Sequence, residues 1–187
     1  MALGLNDVGL DSLKATDQAI RDNPALAKCV IKARSTWQRG TKTQVTVGEW
    51  YAGGQKMTLP PRRFTIMVDE PEMLGGVDGA PFPPELLLAA LAGCVTNGTA
   101  TNAALFGVPI DGIEIELEAH LDARGFLGHD KSVRNGISDI NYTVTIQSPA
   151  PEDKVRRCKE TLDRKSPVRD TLANPVNITS KFVYKPS

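Results

Sequence analysis

Residues 83–106 read PPELLLAALAGCVTNGTATNAALF, and this stretch decides the fold. Pro83 and Pro84 suit a first helical turn, where an amide donor would be unpaired anyway. Gly107 and Pro109 stop the helix just past Phe106. At 1.5 Å per residue the helix is roughly 36 Å long. From Leu86 to Ala92 it carries no polar side chain. A helix apolar all round predicts burial on every side, which makes it the axis of the fold. Gly93, Cys94 and the polar run from Thr96 to Asn102 interrupt it too early for a membrane span.

Working outward, alternation predicts strands over Cys29–Trp37, Thr41–Tyr51 and Arg62–Asp69, the first two joined in a hairpin near Arg39 and Gly40. Downstream strands are expected over Gly112–Asp122, Ile137–Gln147 and Val176–Tyr184. A second helix is expected over about Ala150–Lys165, with Val155, Cys158 and Leu162 on its inner stripe. Residues from about Leu10 to Lys28 read as a helical arm broken at Asn23-Pro24. The order is an α+β plan. One helix buried all round and one amphipathic helix need more apolar cover than a single set of strands offers. A second copy of the chain is therefore expected to complete the burial.

The apolar share of 41% and charged share of 24% are those of an ordinary globular protein. Lys plus Arg balances Asp plus Glu at 22 each, leaving no net field to steer toward nucleic acid or an acidic membrane. Neither partner is expected. The N-terminal MALGLNDVGLDSLKATD has neither a basic start nor a continuous apolar run, so a cytoplasmic location is expected. Cys29, Cys94 and Cys158 are an odd, widely spaced set that does not suit a disulfide framework. His120 and His129 lack partners at metal-like spacing, and no phosphate-binding glycine motif is present. No metal or other cofactor is expected.

Two readings fit Cys94. It can be a small apolar filler of a buried helix. It can also be a reactive thiol, because Asn97, Gly98 and Thr101 follow it at i+3, i+4 and i+7, while Leu91, Ala90 and Leu87 precede it. Such a junction of greasy and polar stripes can line a pocket for an apolar ligand with a polar head. The helix dipole fades within the first turn, and Cys94 is about three turns in, so an activating cation must come from elsewhere. Arg39 at the hairpin turn and Arg124 in a glycine-bearing loop are the candidates. Glu85 lies about half a turn around the helix from Cys94 and reads as a first-turn acid. Cys29 and Cys158 both read as core thiols.

The runs GGVDGAPFPPELLLAALAGC (75–94), EIELEAHLDARGFLG (114–128) and SPVRDTLANPVNIT (166–179) together resemble the OsmC/Ohr superfamily. The resemblance covers most of the chain from Cys29, leaving residues 1–28 as an N-terminal helical arm and 29–187 as an OsmC-like domain. It implies an α+β fold of antiparallel sheets wrapped around the long buried helix, in an intertwined homodimer with sites at the interface. Its best-known members reduce organic hydroperoxides. Cys94 falls on their peroxidatic cysteine and Arg39 roughly on their activating arginine. Two places depart from the pattern: Ser166 precedes Pro167 where those enzymes carry a second, resolving cysteine, and Pro84 stands where they carry a glutamate. Cys158 lies about 12 Å further back along its helix, beyond disulfide reach without chain movement.

The resulting expectation is a thiol peroxidase. The Cys94 thiolate attacks an organic hydroperoxide, Arg39 supports it, and Asn97, Thr101, Leu91 and Arg124 bind substrate. An external thiol reduces the sulfenic acid. The alternative is a non-catalytic dimer that holds a small apolar ligand, with Cys94 as a core thiol.

Overall fold

Helix α2 (Pro83–Leu105) begins at the expected proline and ends one residue short of Phe106. The computed structural model describes residues 3–57 and 62–186. The side chain of Glu85 accepts the Phe82 N–H at 3.0 Å, so this first-turn acid closes the helix start. Around α2 the chain forms α1 (Leu10–Asp22), β1 (Cys29–Arg39), β2 (Lys42–Ala52), the short β3 (Gln55–Lys56) and β4 (Phe64–Val68). Then come β5 (Gly112–His120), α3 (Ala123–Phe126), β6 (Asp139–Gln147), α4 (Glu152–Lys165) and α5 (Pro167–Ala173). The architecture is α+β with two antiparallel sheets. β2 is flanked by β1 on one side and by β3 and β4 on the other, and β5 pairs with β6.

The β1–β2 hairpin slips register between Lys32 and Ala33, opposite Gly48. Gly48 has φ +130°, and a Cβ there would lie 2.4 Å from the Arg62 carbonyl oxygen, so only glycine fits this bulge. Asp69, 1% exposed, fixes the loop that leads into α2. It accepts the Thr41 hydroxyl at 2.6 Å and the amides of Glu70 and Gly79. These donors, Thr41 first, hold its carboxyl down to about 2.

α2 packs one face on β5, α4 and α5. Leu91, Val95 and Leu162 form the core there, with Ile115, Leu117, Ile140 and Tyr142 against them. A second cluster joins Ala103 and Val108 to the fully buried Cys158, where the core position expected from its helical stripe is met. Gly98 allows the close approach of α4: a Cβ there would lie 2.2 Å from Leu162 Cδ1.

Three expectations are corrected within the single chain. α2 is not buried on every side, since Leu87, Ala89, Ala90 and Gly93 are exposed on the face that no element of this chain covers. Cys29 is exposed rather than core, because β1 is open to solvent along its whole length. The strand expected over Val176–Tyr184 is absent from the described residues; Ile178 and Phe182 are each 87% exposed there. A strand needs a neighbour for its backbone groups, and this segment finds none among the described residues. The chain exposes 13767 Å² in all. A folded monomer of this mass exposes roughly 8,800 Å².

The arm is tied to the rest through Asn6, which donates to the Val108 carbonyl at 3.0 Å and accepts the Ile110 N–H at 2.9 Å. Among the described residues no helix is long and apolar enough to cross a membrane.

Candidate active site

Cys94 is half-buried on α2, and its Sγ lies 3.1 Å from the Oγ of Ser166. Three local features bring them together. Gly98, one turn after Cys94, lets α4 close on α2. α4 then ends at Ser166, whose N–H donates to the Leu162 carbonyl at 2.7 Å. Ser166 also starts α5: its Oγ accepts the Arg169 N–H at 3.2 Å, and Pro167 follows in the first turn. Ser166 is 2% exposed.

Beside this pair a cleft of about 460 Å³ opens between α2, the start of β6 and α5. Leu87, Leu91, Ile140 and Leu172 form its apolar wall, and Arg134, Arg169 and Asp139 add two cations and an anion to its lining. Arg169 donates to the Asp163 carbonyl at 2.9 Å. Leu91, one turn before Cys94, lines this cleft, while Cys94 and Ser166 themselves do not. A second cleft of about 420 Å³, lined by Phe82, Pro83, Leu121 and Phe126, shares Leu87 and Ile137 with the first. Each has space for a small organic molecule.

Of the residues expected at the site, Leu91 lines the cleft and is 2% exposed. Asn97 is exposed, and the Thr101 hydroxyl is spent on the Asn97 carbonyl at 2.8 Å. Arg124 is held by Asp122, whose carboxylate accepts its Nε at 3.0 Å; this pair keeps Asp122 at about 2. Arg39 stacks 6.0 Å from the Trp37 ring on the exposed hairpin. The single chain therefore brings neither arginine to the thiol. Arg134, Arg169 and Leu172 were not anticipated. Helix α5 is signalled by Ser166-Pro167, a cap followed by a first-turn proline, which would have placed Arg169 and Leu172. Arg134, in an irregular segment before β6, has no such signal.

Cys158 Sγ donates to the Lys154 carbonyl at 3.2 Å, and burial pushes this thiol up from its usual range. It sits in the other core cluster, away from Cys94. Among the described residues no group of three or more His, Cys, Asp or Glu side chains is arranged to hold a metal ion.

The chain belongs to the OsmC-like protein family, which matches residues 76–181. That span includes Cys94, Arg124 and Ser166 and leaves Arg39 outside. An OsmC-like protein from Mycoplasma pneumoniae has a similar structure, with a TM-score of 0.56 and 17% identity over 79% of this chain and 89% of that one. A protein from Psychrobacter arcticus 273-4, ascribed to the osmotic-stress-induced and detoxification response, gives 0.55 and 18% over 74% and 85%. An OsmC-like protein of unknown function from Vibrio cholerae gives 0.53 and 12% over 76% and 92%. At these identities the likeness is one of fold. No curated protein matches the chain.

Proposed function

We propose that this protein is a thiol-dependent organic hydroperoxide reductase serving an oxidative or osmotic stress response, with Cys94 as the reacting group. The observation that carries this reading is a half-buried thiol, 3.1 Å from a buried hydroxyl and one helical turn from Leu91, which lines a cleft with a leucine-rich wall. The Cys94 thiolate attacks the distal oxygen of the hydroperoxide. The O–O bond breaks, and the alkoxide leaves and takes a proton to become an alcohol. Cys94 is then a sulfenic acid, oxidised by two electrons. Ser166 cannot form a disulfide, so an external thiol attacks the sulfenic sulfur and releases water. This leaves Cys94 in a mixed disulfide; a second external thiol attacks the outer sulfur, releasing the Cys94 thiol and forming a disulfide between the two reductant thiols. The chemistry needs no metal or other cofactor.

The working form is a homodimer. The exposed apolar face of α2, the uncovered strand β1 and the unpaired residues 174–186 support it. So does a surface roughly 5,000 Å² per chain beyond that of a compact monomer. The single chain holds Arg39 on the exposed hairpin and Arg124 on Asp122. In this reading the roles assigned to Arg39 at the thiol and to Asn97, Thr101 and Arg124 at the substrate therefore depend on dimer formation. Light scattering at micromolar concentration is expected to give twice the chain mass; a monomer contradicts this part.

Hydroperoxide consumption with a dithiol reductant tests the activity. Cumene or fatty-acid hydroperoxide should be consumed by the native protein and not by Cys94→Ser. Equal rates contradict the reading. Binding of an apolar ligand without turnover would favour a ligand-holding protein in which Cys94 only packs.

A further inference from the structure

We propose that Ser166 is a positioning residue whose hydroxyl donates its hydrogen to the Cys94 sulfur and supports the thiolate, a role that its place between α4 and α5 makes possible. The assignment rests on the reading of Cys94 as the reacting thiol. Its basis is a count of donors and acceptors. Both backbone groups of Ser166 are taken: the N–H goes to the Leu162 carbonyl at 2.7 Å, and its carbonyl accepts the Asp170 N–H at 2.9 Å. A serine hydroxyl has one hydrogen and two lone pairs. The Arg169 amide can only donate, so at 3.2 Å it takes one lone pair and leaves the hydrogen free. The acceptor within reach of that hydrogen is Cys94 Sγ, at 3.1 Å.

The opposite polarity has the thiol donating to the second lone pair. It would leave the hydrogen of a side chain that is 2% exposed without an acceptor among the described residues, a costly state for a buried donor. Once Cys94 ionises, only one polarity remains, because a thiolate cannot donate. The bond is then charge-assisted and stronger than its neutral form. Hydrogen bonding to the charged form favours that form.

Charged groups on the neighbouring elements are paired elsewhere or exposed, including Asp170 of α5, which is exposed and whose carboxylate accepts from Asn174 at 3.1 Å. α2 carries a single charge, Glu85, which closes its own helix start. On α4, Lys159 pairs with Asp163 at 2.6 Å, while Arg164 and Lys165 are exposed. The Arg169 guanidinium of α5 turns to the Asp163 carbonyl. Glu114, Glu116 and Glu118 of β5 point outward into solvent. Within one chain the Ser166 hydroxyl is thus the polar partner of the sulfur.

The test is the ultraviolet absorbance of the Cys94 thiolate against pH, read without peroxide. It is taken as the difference between each protein and the same protein carrying Cys94→Ser. In Ser166→Ala, the thiolate fraction at a fixed pH on the rising limb is expected to fall about three- to tenfold. Ser166→Thr, which keeps a hydroxyl, should recover it. Loss of the α5 cap alone would lower the melting temperature of Ser166→Ala and leave its titration limb in place. An unmoved limb in folded Ser166→Ala overturns the proposal. If the limb moves but no hydroperoxide is consumed, the hydrogen bond stands and the peroxidase reading fails. If hydroperoxide is consumed with an unmoved limb, the reverse holds.

Discussion

Cys94 and Ser166 are 72 residues apart in sequence, and their Sγ and Oγ atoms lie 3.1 Å apart across the junction of α2, α4 and α5. The residue that ends α4 and caps α5 is thus aimed at the central helix where a thiol stands. A sulfur in place of the Ser166 oxygen would need to move by only about an ångström to reach bonding distance.

Ser166→Cys is therefore expected to oxidise readily to an intrachain disulfide with Cys94. Under mild oxidation the intact mass should fall by two hydrogens, and Cys94 should become refractory to alkylation until reductant is added. Persistent free thiols at both positions would show that the two side chains do not share the geometry described.

Gly98 makes the junction possible. Valine there would place its Cβ 2.2 Å from Leu162 Cδ1, forcing Leu162 to shift within the core it forms with Leu91 and Val95. Gly98→Val should cost about 1–3 kcal/mol, read from the urea midpoint. It should also slow Cys94 chemistry by displacing Ser166. A midpoint equal to that of the native protein would mean that α4 does not bear on Gly98.

Much of this arrangement is written in the sequence, but unevenly. Helix α2 is legible end to end because prolines open it, a glycine and a proline close it, and no polar residue interrupts it from Leu86 to Ala92. The hairpin is legible through the alternation of Ile31, Ala33 and Ser35 against Val45 and Val47. Cys158 is legible from its spacing with Val155 and Leu162. Failures come where periodicity cannot reveal what lies opposite. Cys29 has the alternation of a core residue, yet nothing in its own chain covers it. Val176–Tyr184 has the pattern of a strand with no strand beside it. The Cys94–Ser166 approach depends on Gly98 and Leu162 fitting together, a fact of packing that spacing along either helix does not contain.

Asp69 predicts a specific response to acid. Its carboxyl falls from an ordinary 3.8 to about 2 because the Thr41 hydroxyl and the amides of Gly79 and Glu70 stabilise its charge. A depressed carboxyl contributes stability that is full above its unfolded value and is lost as pH falls through the folded one. Asp69→Asn should lower the melting temperature at pH 7, and the gap to the native protein should close as pH approaches 2. A gap that is constant with pH would contradict this role.

The three thiols should separate by accessibility. Cys158 is fully buried, bonded to the Lys154 carbonyl and pushed up by desolvation, so it should resist alkylation until the protein unfolds. Cys29, exposed on β1, should label in the native state. Native labelling of Cys158 at the rate of Cys29 would contradict the core placement.

The central claim is that Cys94 is the atom that meets the peroxide. The direct measurement is mass spectrometry of the whole protein after brief exposure to stoichiometric cumene hydroperoxide, with a sulfenic-acid trap present and peptide mapping of the adduct. The account predicts one trap adduct per chain, on Cys94, and none in Cys94→Ser. An adduct on Cys29 alone, or none on Cys94 while hydroperoxide is consumed, would contradict it.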